Sequence, residues 1–389
     1  MLFPILVIAA APLVLLIVTI RPFVLLRFGT MMSQRIGHFA IDVEAYLCAR
    51  ELKKPSHYIV DIIGCPEPAC NRQLQMMWAR TLHITPCAGL WYILDYACQF
   101  WTRGNMHHVK LYDRRTDYSL FFTTKPHLGF TNEEHQRGKA LLQQLGIPAG
   151  TPWICIHNRD GAYLDKALGG CWVYHDYRDF SVHTMMSAAD ELSRRGYYVV
   201  RVGSIVAEKL ISNSTKVIDY ASSTLRSDFG DIYLGAECSA FISSDSGISC
   251  VPRIFHKPVC YINLSATMID YFIGRDLYPF IIKRLWHKEK QRFLSLREMF
   301  EAGLYGTDQT YLFEEAGVEP VSNTSEEIRD LAIEVDERLK GQWQPQSGDE
   351  ELQQRFWNIF RKYSPSARQG TIQVRIGASY LRNHIDLLE

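Results

Sequence analysis

The sequence predicts an α/β protein of two Rossmann-like lobes preceded by an apolar N-terminal helix. Three observations carry that expectation. The chain has 389 residues, too many for one ordinary core. Short apolar runs alternate with helix-length amphipathic segments, the rhythm of parallel sheets. The first twenty residues contain no charge at all. Apolar residues make up 47% of the chain and charged residues 22%, with no low-complexity tract, so most of it folds. Lys+Arg and Asp+Glu both number 42, which leaves no general attraction for nucleic acid. An anionic ligand must therefore be held locally.

Met1 to Ile20 is about long enough to cross a hydrocarbon core as one helix. It lacks the basic start and small-residue end of a cleaved signal. Positive charge follows at Arg21, Arg27 and Arg35, which keeps the remaining chain on the cytoplasmic side. A retained anchor over residues 1–21 in the inner (cytoplasmic) membrane is expected, with the lobes in the cytoplasm. Pro4 and Pro12 leave a shallow interfacial or re-entrant placement open.

Residues 22–140 form the expected first lobe. Pro22 to Gly29 reads as a buried strand, Phe39 to Leu52 as a helix and His57 to Ile63 as a second strand. Asn71 to Leu82 and Leu90 to Phe100 are further helices, and Thr131-Asn132-Glu133-Glu134 starts a helix that Gly146 and Pro148 end. The second lobe, 141–340, repeats the pattern with strands at 153–157, 197–203, 239–243 and 258–263 and helices at 182–195, 228–237 and 246–255. Connections of that length imply parallel pairing. An amphipathic helix over Ser325 to Lys340 closes this lobe, and residues 341–389 read as a helical tail.

Ten cysteines stand at irregular spacings without a CxxC pair, which suits reduced, buried thiols. Cys65 and Cys70 with His57 or His83 are too loosely spaced to read as a zinc set.

Two loops fall where an open parallel sheet places its ligands. His157-Asn158-Arg159-Asp160 follows the strand Trp153–Ile156, and an arginine there offers a fork of donors suited to a diphosphate. A polar loop with a helix-capping Asp160 is the plainer alternative. Ser244-Asp245-Ser246-Gly247 follows the next apolar strand and opens a helix, whose hydroxyls and free N–H groups make an anion cradle. An ordinary cap by Ser244 or Asp245 is again the alternative. Arg201 interrupts an apolar strand, and a buried guanidinium needs a carboxylate or phosphate, for which Asp228 is a candidate. In the first lobe, Arg35 and Gly37 flank the entry to a helix that carries His38, a general-base candidate, with Asp42 and Glu44 placed to orient it or to act as base.

Taken in order, RIGHFA, HNRDGAY, YYVVRVGS and RSDFGDIYLG running on to FISSDSGISCVPRIFHKPVCYIN resemble a family of bacterial glycosyltransferases from surface-polysaccharide clusters, over roughly residues 30–340. The resemblance implies the GT-B architecture, with an acceptor bound by the first lobe and a nucleotide-diphosphate sugar by the second. It implies an inverting transfer to a surface-glycan or lipid-linked acceptor, with the nucleotide sugar as co-substrate and no other cofactor. His157 to Asp160 is also distantly similar to GDP-fucose-dependent fucosyltransferases, although the text is HNRDG, so that diphosphate role maps only onto Arg159. The Ser-Asp-Ser-Gly loop is similar to the donor loop of heptosyltransferases. No metal is expected at the reaction, and the chain lacks a DxD carboxylate pair: Asp113 and Asp117 are too far apart, and Asp228 and Asp231 begin a helix. The competing expectation is a non-catalytic, membrane-associated nucleotide-binding scaffold. A hydrolase is disfavoured by the absence of a GxSxG elbow.

Overall fold

The computed structural model describes residues 2–53, 58–111, 121, 123–163, 172–269, 278–363 and 374–389. His57, Asp113, Asp117 and Cys171 lie outside the described residues. The chain forms two compact units, the first made of residues 1–135 with Ile254–His256 and the second of 136–253 with 257–389.

The first unit opens with two helices where one was expected, α1 (Leu2–Ala9) and α2 (Ala11–Ile20). They are bent by 46° at the break. Pro12 explains it: proline has no N–H to give the carbonyl one turn earlier, and its ring crowds that carbonyl. Among the described residues no single helix is long and apolar enough to cross a membrane, although this bent pair together has the length and composition. Its inner face is packed, because Val7, Val14 and Ile17 share one core with Phe28, Leu94, Ala97 and Cys98. The outer face leaves Ile5, Ile8, Leu15 and Leu16 exposed.

Three parallel strands follow in the order β1 (Leu25–Thr30), β2 (Ile59–Gly64), β3 (His83–Thr85). A parallel bridge from Phe28 to His108 extends the far edge of β1. Between the strands run α3 (Ile36–Leu52), α4 (Arg72–Ala79) and α5 (Ala88–Thr102). Arg27 and Asp61 are register partners on β1 and β2, and Arg27 Nε donates to Asp61 Oδ1 at 2.6 Å. Arg50 of α3 reaches the other oxygen at 2.9 Å, and Tyr46 also bonds it, so this buried carboxylate is fully enclosed by donors. Such pairing is what a buried charge requires.

The chain leaves the first unit within α6 (Asn132–Gln144), at His135. Thr131 and Glu134 close a reciprocal cap, Glu134 N donating to Thr131 Oγ1 at 3.2 Å and Thr131 N to Glu134 Oε2 at 2.8 Å. The second unit is built on five parallel strands, β4 (Trp153–His157), β5 (Tyr198–Arg201), β6 (Val217–Asp219), β7 (Ala240–Ser243) and β8 (Val259–Tyr261). Their spatial order is β6-β5-β4-β7-β8. Counted from β4, this is the doubly wound order in which the chain first grows the sheet to one side and then returns to the other.

Two expected helices are interrupted. Residues 182–195 begin as a 3-10 turn, Val182–Met185, before α7 (Met186–Arg194). The segment after β7 is a 3-10 turn, Gly247–Ser249, and then α9 (Cys250–Ile254), only five residues long and containing Pro252; α8 (Asp228–Glu237) precedes β7. A mixed sheet of β9 (Leu264–Ser265), β10 (Ile282–His287), β11 (Arg292–Phe293) and β12 (Val318–Val321) was not anticipated. Its members are too short or too charged to show a clear period. The helices α10 (Leu296–Glu301), α11 (Thr310–Glu315), α12 (Ser325–Leu339), α13 (Asp349–Tyr363) and α14 (Ala378–Asn383) complete the unit. The described residues of 341–389 pack into this unit: Phe356 and Phe360 are wholly buried in the same core as Phe280, and Tyr380 Oη donates to Ile282 O at 2.9 Å.

Candidate functional site

The connection from β4 departs toward β5 and that from β7 toward β8, on opposite sides of the sheet. Loops that part in this way leave a crevice at the strands' carboxyl ends, where doubly wound sheets bind ligands. His157 and Ser243 are register partners at the two strand ends. The residues that follow, Asn158-Arg159-Asp160 and Ser244-Asp245-Ser246-Gly247, therefore emerge side by side.

Charge is concentrated at this point. Arg159 Nη1 pairs with Asp179 and donates to His175 O at 3.0 Å. Arg178 Nη1 donates to the backbone carbonyl of Asp245 at 3.2 Å. Lys283 of β10 donates to the carbonyls of Tyr177 at 3.0 Å and Asp179 at 2.8 Å. Burial pushes the Asp245 carboxyl up to about 6 against the attraction of Arg178, Arg159 and Lys283. Burial also lowers Arg159 to about 10, helped by repulsion from Arg178, and lowers Lys283 to about 8. Three cations thus face two carboxylates in a desolvated space.

Several polar atoms here have no hydrogen-bond partner among the described residues: Arg159 Nη2, Arg178 Nε, Ser244 Oγ and both carboxylate oxygens of Asp245. Leaving such a group buried and unsatisfied costs about 1–3 kcal/mol, so their concentration at a switch point marks a place kept for a ligand. The free donors suit phosphate oxygens, and the carboxylate suits hydroxyls. The loop's cradle is built differently from the sequence expectation. Neither Ser244 nor Asp245 caps the turn, and Ser246, which stands at the cap position, makes no side-chain cap bond. The helix that follows is too short to offer much dipole, so side-chain cations supply the positive charge. Gly247 is the exposed member of the loop, and Ser246 Oγ lies 3.2 Å from Ser243 Oγ.

The remaining sequence candidates of this unit hold the crevice in shape. His157 Nδ1 donates to Val202 O at 2.9 Å, and burial pulls the imidazole down to about 4, so it is neutral. Asp160 ties two loops, accepting from Ala162 N at 3.1 Å and Ala207 N at 3.0 Å. Arg201 is wholly buried and donates to Asn158 Oδ1 at 2.9 Å and Glu208 O at 2.5 Å. Its carboxylate is Asp219, the register partner on β6 at 3.5 Å, and not Asp228, which stands 3.6 Å from Arg226 at the start of α8. Arg201 and Asp228 therefore do not join the crevice cations. Sequence reasoning missed Lys283 there. The signal for Lys283 was the one used for Arg201, a cation inside an apolar run, Phe280-Ile281-Ile282-Lys283.

In the first unit, Arg35 precedes α3 at its cap position and Gly37 lies in the first turn. His38 Nδ1 is 2.9 Å from Asp42 Oδ2, one turn on, and the carboxylate is buried while the ring is partly exposed. Burial raises Asp42 above its ordinary range, partly offset by the bond to His38. This pair has the form of a base held by an orienting acid. Glu44 is not part of it. Two residues along a helix turn the side chain by about 200°, to the opposite face, where Glu44 bonds His127.

The class of site is thus a cation-lined switch-point crevice in a Rossmann-like unit. No family model matches the chain, and no curated protein matches it by sequence. Among solved structures it is similar to the glycosyl transferase family 9 protein from Veillonella parvula DSM 2008, at 12% identity and a TM-score of 0.40, over 60% of this chain and 79% of that one. It is also similar to E. coli ADP-heptose lps heptosyltransferase II, at 13% identity and a TM-score of 0.34, over 61% of this chain and 84% of that one.

The raised Asp245 carboxyl gives a pH signature. Its folded value of about 6 lies above its ordinary 3.8, so the folded state holds the proton more tightly. That contribution to stability is complete below about pH 4 and is lost as pH rises through about 6. Urea denaturation from pH 4 to 7 should show wild type losing stability relative to Asp245→Asn across this window. Parallel curves for the two proteins would contradict the assignment.

Proposed function

We propose that the protein is a glycosyltransferase of the two-lobed GT-B type, which moves a sugar from a nucleoside-diphosphate donor to a surface-glycan or lipid-linked acceptor with inversion. The observation that carries this reading is the set of buried, unsatisfied donors on Arg159 and Arg178 beside Lys283 and the Ser244–Gly247 loop. A diphosphate satisfies those donors and neutralises their charge, and the same cations stabilise it as a leaving group without a metal in the transfer step. Asp245 and Ser244 accept or donate to hydroxyls of the donor. In the first unit His38, oriented by Asp42, takes the proton of the acceptor hydroxyl. The acceptor oxygen then bonds the anomeric carbon while the carbon–oxygen bond to the diphosphate breaks.

The apolar N-terminus supports an interfacial position on the cytoplasmic membrane. α1 and α2 bury one face on their own unit and expose Ile5, Ile8, Leu15 and Leu16 on the other. Phe3 packs on Tyr92 and Tyr96, and Trp101 Nε1 donates to Val7 O at 3.1 Å, which joins the pair to the exposed aromatics of α5. Such an apolar face edged by Tyr and Trp lies in the headgroup boundary. In vesicle flotation, Ile5→Asp with Leu15→Asp should leave the protein in the aqueous fraction while wild type floats; equal flotation would sink this placement.

A thermal-shift screen of nucleoside diphosphates and their sugars should give one base that raises the melting temperature. Arg159→Ala should weaken that ligand by about 10- to 100-fold, the loss of a charge-assisted bond. His38→Ala should lower transfer by roughly 10²- to 10⁴-fold with donor affinity retained. Saturable binding without any transfer or hydrolysis would point to the non-catalytic scaffold, and no binding would remove both readings.

A further inference from the structure

On the face of α3 opposite the His38–Asp42 pair, three different metal-ligating side chains meet. Glu44 and Cys48 are one helical turn apart and wholly buried. His127 comes from a distant segment, its backbone N donating to Glu44 Oε1 at 3.2 Å and its Nδ1 lying 2.9 Å from the same oxygen. Cys48 Sγ is 3.9 Å from that oxygen, and the candidate ligand atoms of Glu44, Cys48 and His127 all fall within 4.8 Å of one another. Glu44 Oε2 is buried without a hydrogen-bond partner among the described residues, so the carboxylate has a coordination site to spare.

We propose that Glu44, Cys48 and His127 bind a structural zinc ion. The donor set selects the metal: thiolate, imidazole and carboxylate together suit zinc, whereas magnesium and calcium take oxygen alone. Ligand atoms around tetrahedral zinc stand about 3.3–3.8 Å apart, so small side-chain shifts convert the observed spacing into a site. The outer nitrogen of His127 completes the pattern. Nε2 lies 3.1 Å from Glu51 Oε2, one further turn along α3, and a carboxylate on the far nitrogen is what fixes the tautomer and ring of a zinc-bound histidine. A buried His–Glu ion pair alone accounts for neither the thiol nor the spare oxygen. Thr124 Oγ1 donates to Cys48 Sγ at 3.0 Å and would steady the thiolate. The ion would staple the segment at residues 124–127 to the helix that carries His38.

The test uses the full chain purified without added metal. Elemental analysis should find ~1 zinc per chain, and exchange for cobalt should give the thiolate-to-cobalt charge-transfer band and tetrahedral visible absorption. Cys48→Ser and His127→Ala should lose both, while Cys87→Ser, which removes an exposed thiol elsewhere, should keep them. Chelation should lower the melting temperature of wild type and zinc should restore it. A wild-type protein that binds neither metal overturns the proposal without any variant having to fold. Zinc retained in full by both Cys48→Ser and His127→Ala also overturns it.

Discussion

Asp245 is a buried carboxylate that no side-chain or loop donor among the described residues satisfies, set among Arg159, Arg178 and Lys283 at the point where the sheet of the second unit divides. Much of the surrounding structure serves to hold these charges out of water. Asp179 takes one fork of Arg159, and backbone carbonyls of residues 177 and 179 take Lys283. Arg201, Asn158 and Asp219 lock the neighbouring strand ends behind them. Burial shifts Asp245 up and the cations down together, which is the response of charges that lack full compensation. Under the proposed function, a diphosphate supplies that compensation.

The same device appears in simpler form in the first unit. Arg27 and Asp61 face each other across β1 and β2, as Arg201 and Asp219 do across β5 and β6. Both pairs put a charge inside a parallel sheet, yet in the first unit Tyr46 and Arg50 close the remaining positions of the carboxylate. A closed pair of that kind fixes register. Asp245, which belongs to neither pair, has no such closure among the described residues.

What the sequence made legible followed from strand ends. The apolar runs at 153–157 and 239–243 announced where β4 and β7 stop, and the residues just beyond them are the ones the crevice brings together. Lys283 escaped because it enters from β10, a strand of a second sheet that no local period reveals. Asp219 escaped as the partner of Arg201 because parallel register joins residues through a crossover, not through spacing. Glu44 was grouped with Asp42 by proximity in the chain, although the helical turn sends them to opposite faces. The single anchor helix failed at Pro12, whose effect on the backbone was visible but whose break a hydropathy count ignores.

A crystal structure with a nucleoside diphosphate bound would show whether the crevice cations hold the phosphates. Phosphate oxygens should lie within hydrogen-bond distance of Arg159 Nη2 and Arg178 Nε, with Lys283 close enough to share the charge. A nucleotide bound elsewhere, with Arg159 still engaged only by Asp179 and His175 and the Ser244–Gly247 loop untouched, would contradict that role.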